Sequence, residues 1–200
     1  MQALPRLRRA ASGALMAMFT VMSVLVTACL PSPALAATAT SAPPEVAREL
    51  PNARLLGSGR LTVMLFHVYD ARLWVRDGFS ATDASQSPLA LELEYARTLE
   101  GAQIAARSIV EMKRIGEFGD DTAQRWLASM KQIFIDVKAG DRLTGLQLPG
   151  QGARFFLNGK PAGEVRDAEF TRLFFGIWLS PRSSQPALRD ALLGARRPAS

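Results

Sequence analysis

Alternating hydrophobic and polar positions predict strands in two parts of the chain. In LALELEYAR, over residues 89–97, leucines and a tyrosine fall on one face and two glutamates on the other, as expected of a half-buried strand. Before it, β-branched, aromatic and aliphatic residues predict two strands over about 54–63 and 65–75. Later, LTGLQL, ARFFL and PAGEV predict three short strands. Asn158-Gly159 lies between the last two and is typical of a tight hairpin turn, because both residues tolerate positive φ.

A hydrophobic period near 3.6 predicts four helices between and after these strands. The first has Ile104, Ser108, Ile109, Met112 and Ile115 along one side and Arg107, Glu111 and Arg114 along the other. Asp120 or Asp121 is expected to cap the second helix and Asp167 the third, while Pro186 suits the first turn of a fourth that ends at Gly194. The order of three strands, two helices, three strands and two helices predicts an α+β fold, with helices on one face of a mostly antiparallel sheet.

The first 36 residues have the pattern of a bacterial secretory signal peptide. Three arginines and no acidic residue precede the apolar run ALMAMFTVMSVLVTA, and a small-x-small motif ends at Ala36. We therefore expect cleavage after Ala36 and export to the periplasm. The apolar run is short for a permanent membrane span, so we expect no transmembrane anchor after processing. VTAC, ending at Cys29, resembles a lipobox, which leaves open a membrane-anchored lipoprotein as the alternative.

The composition of the rest of the chain fits one globular domain. The 200 residues are 48% hydrophobic and 21% charged, and we expect a flexible lead-in over 37–50, the domain over 51–194 and a frayed tail over 195–200. The net charge is +6, but removing residues 1–36 leaves 21 basic and 18 acidic residues, a charge of +3. Because the basic residues are scattered, no nucleic-acid partner is expected.

Several common catalytic and cofactor motifs are absent from the sequence. Cys29 is the single cysteine and His67 the single histidine, so neither a thiol nucleophile in the domain nor a histidine-rich metal site is predicted. GSGR lacks the length and the Lys-Ser/Thr ending of a phosphate-binding loop, and no serine lies in a nucleophile elbow. We expect no metal and no cofactor.

The strand HVYDARLWV, over residues 67–75, places Asp70 and Arg72 on one face among apolar residues. One interpretation is that both pair with charges on neighbouring strands, on the open side of the sheet. The other is that Asp70 faces a cleft close to Arg60, which would hold the aspartate ionised. Alternation alone does not decide which face meets the helices.

Longer stretches of the chain resemble the bacterial chalcone isomerase-like family of exported proteins. The resemblance runs over about 55–194 and includes GSGRLTVMLFHVYDARLWV, SIVEMKRIG, the NGKPAGEV hairpin, FFGIWL and LRDALLG. It implies the chalcone isomerase fold, an open-faced β-sandwich in which helices cover one face of a large, mostly antiparallel sheet. This agrees with the element order, but a shared fold does not by itself imply the reaction.

The resemblance also assigns candidate roles. In the true isomerases an arginine steadies the oxyanion, and a threonine and a tyrosine order water. Arg60 matches the arginine, but Asp70 falls at the threonine and Ile104 at the tyrosine, where an isoleucine can neither donate a proton nor hold a water. Chalcone isomerisation is therefore not expected, and catalysis as a whole is left uncertain.

A sister group with this fold binds fatty acids, with the matching arginine and a tyrosine holding the carboxylate. By this resemblance we expect a small amphipathic or carboxylate ligand between sheet and helices. Arg60 would bind the anionic head beside Asp70, Tyr69 and Tyr95 would donate hydrogen bonds, and Arg97 is a further candidate cation. Two alternatives stay open: an isomerase or lyase of unknown substrate using the same cleft, and a structural or partner-binding module.

Overall fold

Six strands pair in chain order to form one antiparallel sheet, in a computed structural model that describes residues 41–195. The strands are β1 (Arg54–Val63), β2 (Phe66–Val75), β3 (Leu89–Tyr95), β4 (Arg142–Leu148), β5 (Gly152–Leu157) and β6 (Lys160–Val165). The helices are α1 (Pro44–Glu49), α2 (Gly101–Ile115), α3 (Asp120–Ile133), α4 (Ala168–Leu179) and α5 (Pro186–Leu192), with a 3₁₀ segment over Ala81–Gln86. The prediction of an α+β fold with helices on an antiparallel sheet is confirmed. The predicted signal peptide lies outside the described residues.

The turn between β5 and β6 has the predicted chemistry. Asn158 and Gly159 both have positive φ, 51° and 81°, as a two-residue hairpin turn requires. Asp167 caps α4 as predicted, since its carboxylate accepts hydrogen bonds from the backbone N–H groups of Glu169 and Phe170. The predicted cap of α3 is wrong. Gly119 occupies the capping position, and both aspartates lie inside the first turn, where they still favour the helix dipole.

The main core lies between the sheet and helices α2 to α5. Its centre is a group of aromatic rings in contact, Phe134, Phe155, Phe170 and Phe174, which come from the end of α3, from β5 and from α4. Edge-to-face and stacked pairs of this kind hold ring orientations as well as burying area. Helices α3 and α4 are thereby fixed over the β4–β6 end of the sheet, whereas α5 packs on β1.

Helix α1 packs on the opposite face of the sheet, where a flexible lead-in was expected. Val46 and Leu50 are buried against Trp74 and Phe156 in a second, smaller core. Glu45 is also buried, and its Oε1 accepts hydrogen bonds from Arg142 Nη2 at 2.8 Å and Thr144 Oγ1 at 3.0 Å. The expectation of flexibility is therefore corrected for residues 44–49. It rested on a small, Pro-containing composition, whereas burial on the sheet orders this segment.

Cross-strand charges on this second face pair as one of the two interpretations predicted. Arg72 donates hydrogen bonds to Glu92 at 2.9 Å and to Glu94 at 2.9 Å, and the indole of Trp74 donates to the other oxygen of Glu92. Arg60 stands directly opposite Asp70 in the β1–β2 ladder and binds its carboxylate at 2.8 Å. Asp70 therefore faces away from helices α2 to α5.

None of the helices within residues 41–195 is both long and apolar enough to cross a membrane.

Candidate functional site

A cavity of about 410 Å³ lies between the sheet and the helices, at the end where β1 and β2 project. Its wall is mostly apolar and includes Leu61, Val63, Val68, Leu93, Leu99, Ile104, Phe134, Leu143, Phe174 and Ile177. The polar side chains on the wall are Tyr69, Tyr95, Gln103, Arg107, Ser108, Glu111, Trp178, Ser184 and Gln185. Small-molecule sites commonly have this form, with a volume of about 300–1,000 Å³ and a few polar groups on an apolar surface.

Two tyrosines from neighbouring strands face each other on the floor of the cavity. Tyr69 and Tyr95 are cross-strand partners, with ring centroids 6.0 Å apart in an edge-to-face arrangement. The indole Nε1 of Trp178 donates a hydrogen bond to the Tyr69 hydroxyl at 2.9 Å. The Tyr95 hydroxyl forms no side-chain hydrogen bond within residues 41–195 and remains available to a ligand.

Burial raises the pKa of both tyrosines. It raises the pKa of Tyr69 to about 12, with the hydrogen bond from Trp178 opposing the rise and the charge of Glu111 adding to it. Burial likewise raises the pKa of Tyr95, and the neighbouring Tyr69 adds to the rise. Each hydroxyl therefore carries its proton at neutral pH and presents an O–H donor to the cavity.

One face of helix α2 forms the roof of the cavity. Ile104, Arg107, Ser108 and Glu111 stand at positions i, i+3, i+4 and i+7, so they lie on one side of the helix. The Ser108 hydroxyl donates to the Ile104 carbonyl of the same helix at 2.9 Å. The carboxylate of Glu111 is buried, whereas the side chain of Arg107 is 69% exposed and marks the mouth of the cavity.

The carboxylate of Glu111 has two guanidinium groups nearby. Arg107 Nη2 binds Glu111 Oε1, and Arg114 Nε lies 3.5 Å from Glu111 Oε2 without forming a hydrogen bond to it. Two guanidinium groups therefore face one carboxylate. Arg107 and Glu111 belong to the cavity wall and Arg114 does not, and several Arg107 N–H donors form no hydrogen bond within residues 41–195.

The structure brings together only some of the site residues predicted from the sequence. Tyr69 and Tyr95 line the cavity. Arg60 and Asp70 do not, because they pair with each other on the opposite face of the sheet. Arg97 is exposed and lies over the ring of Phe66, 5.5 Å from its centroid, near the cavity but not in its wall. The predicted carboxylate fork of Arg60 with a tyrosine is therefore not assembled.

Sequence analysis missed Arg107 and Glu111, which it placed on the side of α2 away from Ile104. The sequence did contain a signal for Glu111. It lies three residues after Ser108 and seven after Ile104, so it falls on the same side of the helix as these two members of the apolar stripe. The side of α2 that faces the cavity is therefore wider than its apolar residues alone, and it includes Glu111.

The comparisons with known proteins agree with this architecture. A family model described as chalcone isomerase-like matches residues 39–194. The chain belongs to the chalcone isomerase-like family. An uncharacterized protein of Haemophilus influenzae is 33% identical over 139 residues, which cover 70% of this chain and 67% of that protein.

A solved structure has a similar fold. It is the crystal structure of a fatty-acid binding protein of Arabidopsis thaliana, with a TM-score of 0.56 and 14% sequence identity, covering 72% of this chain and 88% of that one. At this identity the likeness shows the fold alone. It confirms the predicted chalcone isomerase fold.

The cavity offers binding groups more clearly than catalytic ones. Of the three positions matched to catalytic roles in the true isomerases, Arg60 and Asp70 are outside the cavity, and Ile104, which lines it, has no polar side-chain atom. Within residues 41–195, histidine, cysteine and carboxylate side chains form no group of three that could hold a metal ion. The arrangement is suited to hold a molecule with an apolar body and an anionic or polar end.

Proposed function

We propose that this protein binds a small amphipathic ligand with an anionic head, such as a fatty acid, in the cavity between the sheet and α2. The observation that carries the proposal is the combination of an apolar cavity of about 410 Å³ with a largely exposed arginine, Arg107, on its wall. Known ligand sites of this size bury most of the ligand surface.

The tail of such a ligand fits the inner wall. Leu93, Leu143 and Phe174 present aliphatic and aromatic carbon there, so each methylene that leaves water contributes about 0.8 kcal/mol to binding. The hydroxyls of Tyr69 and Tyr95 are two of the polar groups on the cavity wall. They would donate hydrogen bonds to a polar atom of the ligand. Because both hydroxyls are neutral, that atom need not be charged.

The head fits at Arg107. Its guanidinium has five N–H donors, and within residues 41–195 one of them is hydrogen-bonded, to Glu111. The second guanidinium, from Arg114, offsets the charge of Glu111 and so reduces its repulsion of an incoming carboxylate. This assigns to Arg107 the role that the sequence analysis gave to Arg60.

The proposal includes export. The signal-peptide pattern of residues 1–36 supports a periplasmic protein, with lipid anchoring through Cys29 as the alternative. The fatty-acid binding protein of similar fold supports a lipid ligand by analogy.

Calorimetric titration with palmitic acid and with hexadecanol tests the assignment of the head. These probes share a tail and differ in the charge of the head. We expect Arg107→Ala to weaken palmitic acid binding about tenfold. A hydrogen bond to a charged group contributes roughly 1.5–3 kcal/mol, and we expect the lower end of this range because Arg107 is largely exposed. Hexadecanol binding should change little.

Two further variants sharpen this test. Glu111→Gln removes the opposing charge and should tighten palmitic acid binding. Arg125→Ala, which removes an exposed arginine of α3 that bonds Thr122, is the matched control and should have no effect. Equal weakening of both probes by Arg107→Ala, or no binding of either, would contradict the proposal. Chemical turnover of a bound probe would instead indicate an enzyme.

A further inference from the structure

The tip of the β1–β2 hairpin exposes four consecutive large hydrophobic side chains. Val63, Met64, Leu65 and Phe66 are 45%, 86%, 98% and 64% exposed, respectively. Scattered single hydrophobic residues on a surface are ordinary, but a contiguous group at a projecting tip needs a reason.

The backbone of this tip is strained, unlike that of the other two-residue hairpin. Met64 and Leu65 have φ of 47° and 70°, in the left-handed region. A tight hairpin turn requires this region, but it is unfavourable for residues that have a Cβ atom. The same chain meets this requirement between β5 and β6 with Asn158-Gly159, the favoured pair. The β1–β2 tip therefore has two bulky apolar residues at positions where Asn-Gly would be less strained. This points to a function for the side chains of these two residues.

We propose that this hairpin tip inserts into the surface of a lipid bilayer that carries anionic phospholipids. Residues Val63–Phe66 would enter the boundary between head groups and acyl chains. A bilayer accepts a projecting apolar tip without a complementary pocket.

Size and charge favour a bilayer over a protein partner. A stable protein interface uses about 20–30 residues on each side, whereas the apolar tip has four. At its base, Arg97 lies over the Phe66 ring and has no carboxylate within salt-bridge distance in residues 41–195. A cation beside an inserted aromatic ring is suited to contact lipid phosphates.

The tip is continuous with the cavity. Val63 belongs to both, and Leu61 and Val68, on the strands leading away from the tip, line the cavity wall. An acyl chain leaving the bilayer at the tip would pass along apolar side chains into the cavity. This route rests on the proposed function, but insertion of the tip does not.

Co-sedimentation with vesicles tests the proposal. The vesicles contain phosphatidylethanolamine and phosphatidylglycerol, and every protein carries Cys29→Ser, so that acylation there cannot tether it. The key variant is Met64→Asn with Leu65→Gly, which gives this turn the residues of the other hairpin. It relieves strain, so it should fold at least as well as the parent while losing the apolar tip.

We expect the parent to sediment with the vesicles and the tip variant to bind at least tenfold more weakly. The control is Val110→Asn with Ile135→Asn, which changes two exposed hydrophobic residues that are not part of the tip, 55% and 58% exposed, and it should bind like the parent. Arg97→Ala should weaken binding to these vesicles but not to vesicles of phosphatidylcholine alone.

Equal vesicle binding by the parent and the tip variant, or no binding by the parent, would overturn the proposal. So would a dimer of the parent that the tip variant loses, since the tip would then serve self-association. Titration with palmitic acid separates this proposal from the ligand-binding one. Without vesicles the tip variant should bind palmitic acid like the parent. A parent that binds vesicles but no fatty acid would refute the proposed ligand binding and leave the insertion of the tip supported.

Discussion

Helix α1 is predicted to be held to the sheet by the buried carboxylate of Glu45, so Glu45→Ala should destabilise the fold. The substitution removes the acceptor of two hydrogen bonds, from Arg142 and from Thr144. A hydrogen bond to a charged group contributes about 1.5–3 kcal/mol, and breaking a buried ion pair costs about 3–5 kcal/mol. Arg142 keeps partial exposure and a second carboxylate, Glu92, at 3.5 Å. We therefore expect a loss of about 2–3 kcal/mol.

Urea unfolding followed by circular dichroism measures this loss. With an m-value of about 2 kcal/mol/M, the midpoint should fall by about 1–1.5 M. Glu49→Ala is the matched control, since Glu49 lies on the same helix but pairs with Arg154 at the surface, where an ion pair contributes at most about 1 kcal/mol. In an Arg142→Met background, Glu45→Ala should cost less, because the guanidinium it would leave unpaired is gone.

A midpoint for Glu45→Ala equal to that of Glu49→Ala would refute this reasoning. It would mean that α1 contributes no more than a surface segment and that the smaller core is not part of the cooperative fold.

Three further predictions follow from the described contacts. Arg60→Ala should leave palmitic acid affinity unchanged in calorimetry and reduce stability slightly. Since Arg60 holds the pKa of Asp70 below its usual value, this stabilisation is present above about pH 4 and is lost as the pH falls through the folded-state pKa. The free energies of unfolding of parent and variant should therefore converge in acid. Absorbance of the phenolate should rise near pH 10 in urea but only near pH 12 or above in the native protein, because Tyr69 and Tyr95 are its two tyrosines; native titration near pH 10 would show that they are exposed. Gly159→Ala, at φ of 81°, should lower the free energy of unfolding by about 1 kcal/mol, and an unchanged urea midpoint would contradict the turn assignment.

The sequence was sufficient for the parts of the fold that local patterns determine. Alternation located the strands, and Asn158-Gly159 identified a hairpin because positive φ is a local requirement. The α1 segment was missed because its order comes from burial of Glu45 and Val46 on the sheet, and composition alone carries no information on that contact.

The site was only partly predictable, for a related reason. In a strand, a shift of one residue exchanges the two faces, and both faces of β2 are partly apolar. Tyr69 and Asp70 are adjacent and were both expected at the ligand, but only Tyr69 can face the helices. The ion pair of Arg107 and Glu111 escaped notice because charged residues on a helix usually indicate a solvated face.

Native mass spectrometry of the protein purified from the periplasm, followed by extraction and identification of any bound molecule, tests ligand binding most directly. The account predicts a co-purifying fatty acid that is lost in Ile104→Trp, which fills the cavity from α2, and retained in Ala102→Trp, at an exposed position of the same helix. A parent protein with an unshifted mass, even after addition of palmitic acid, would contradict it.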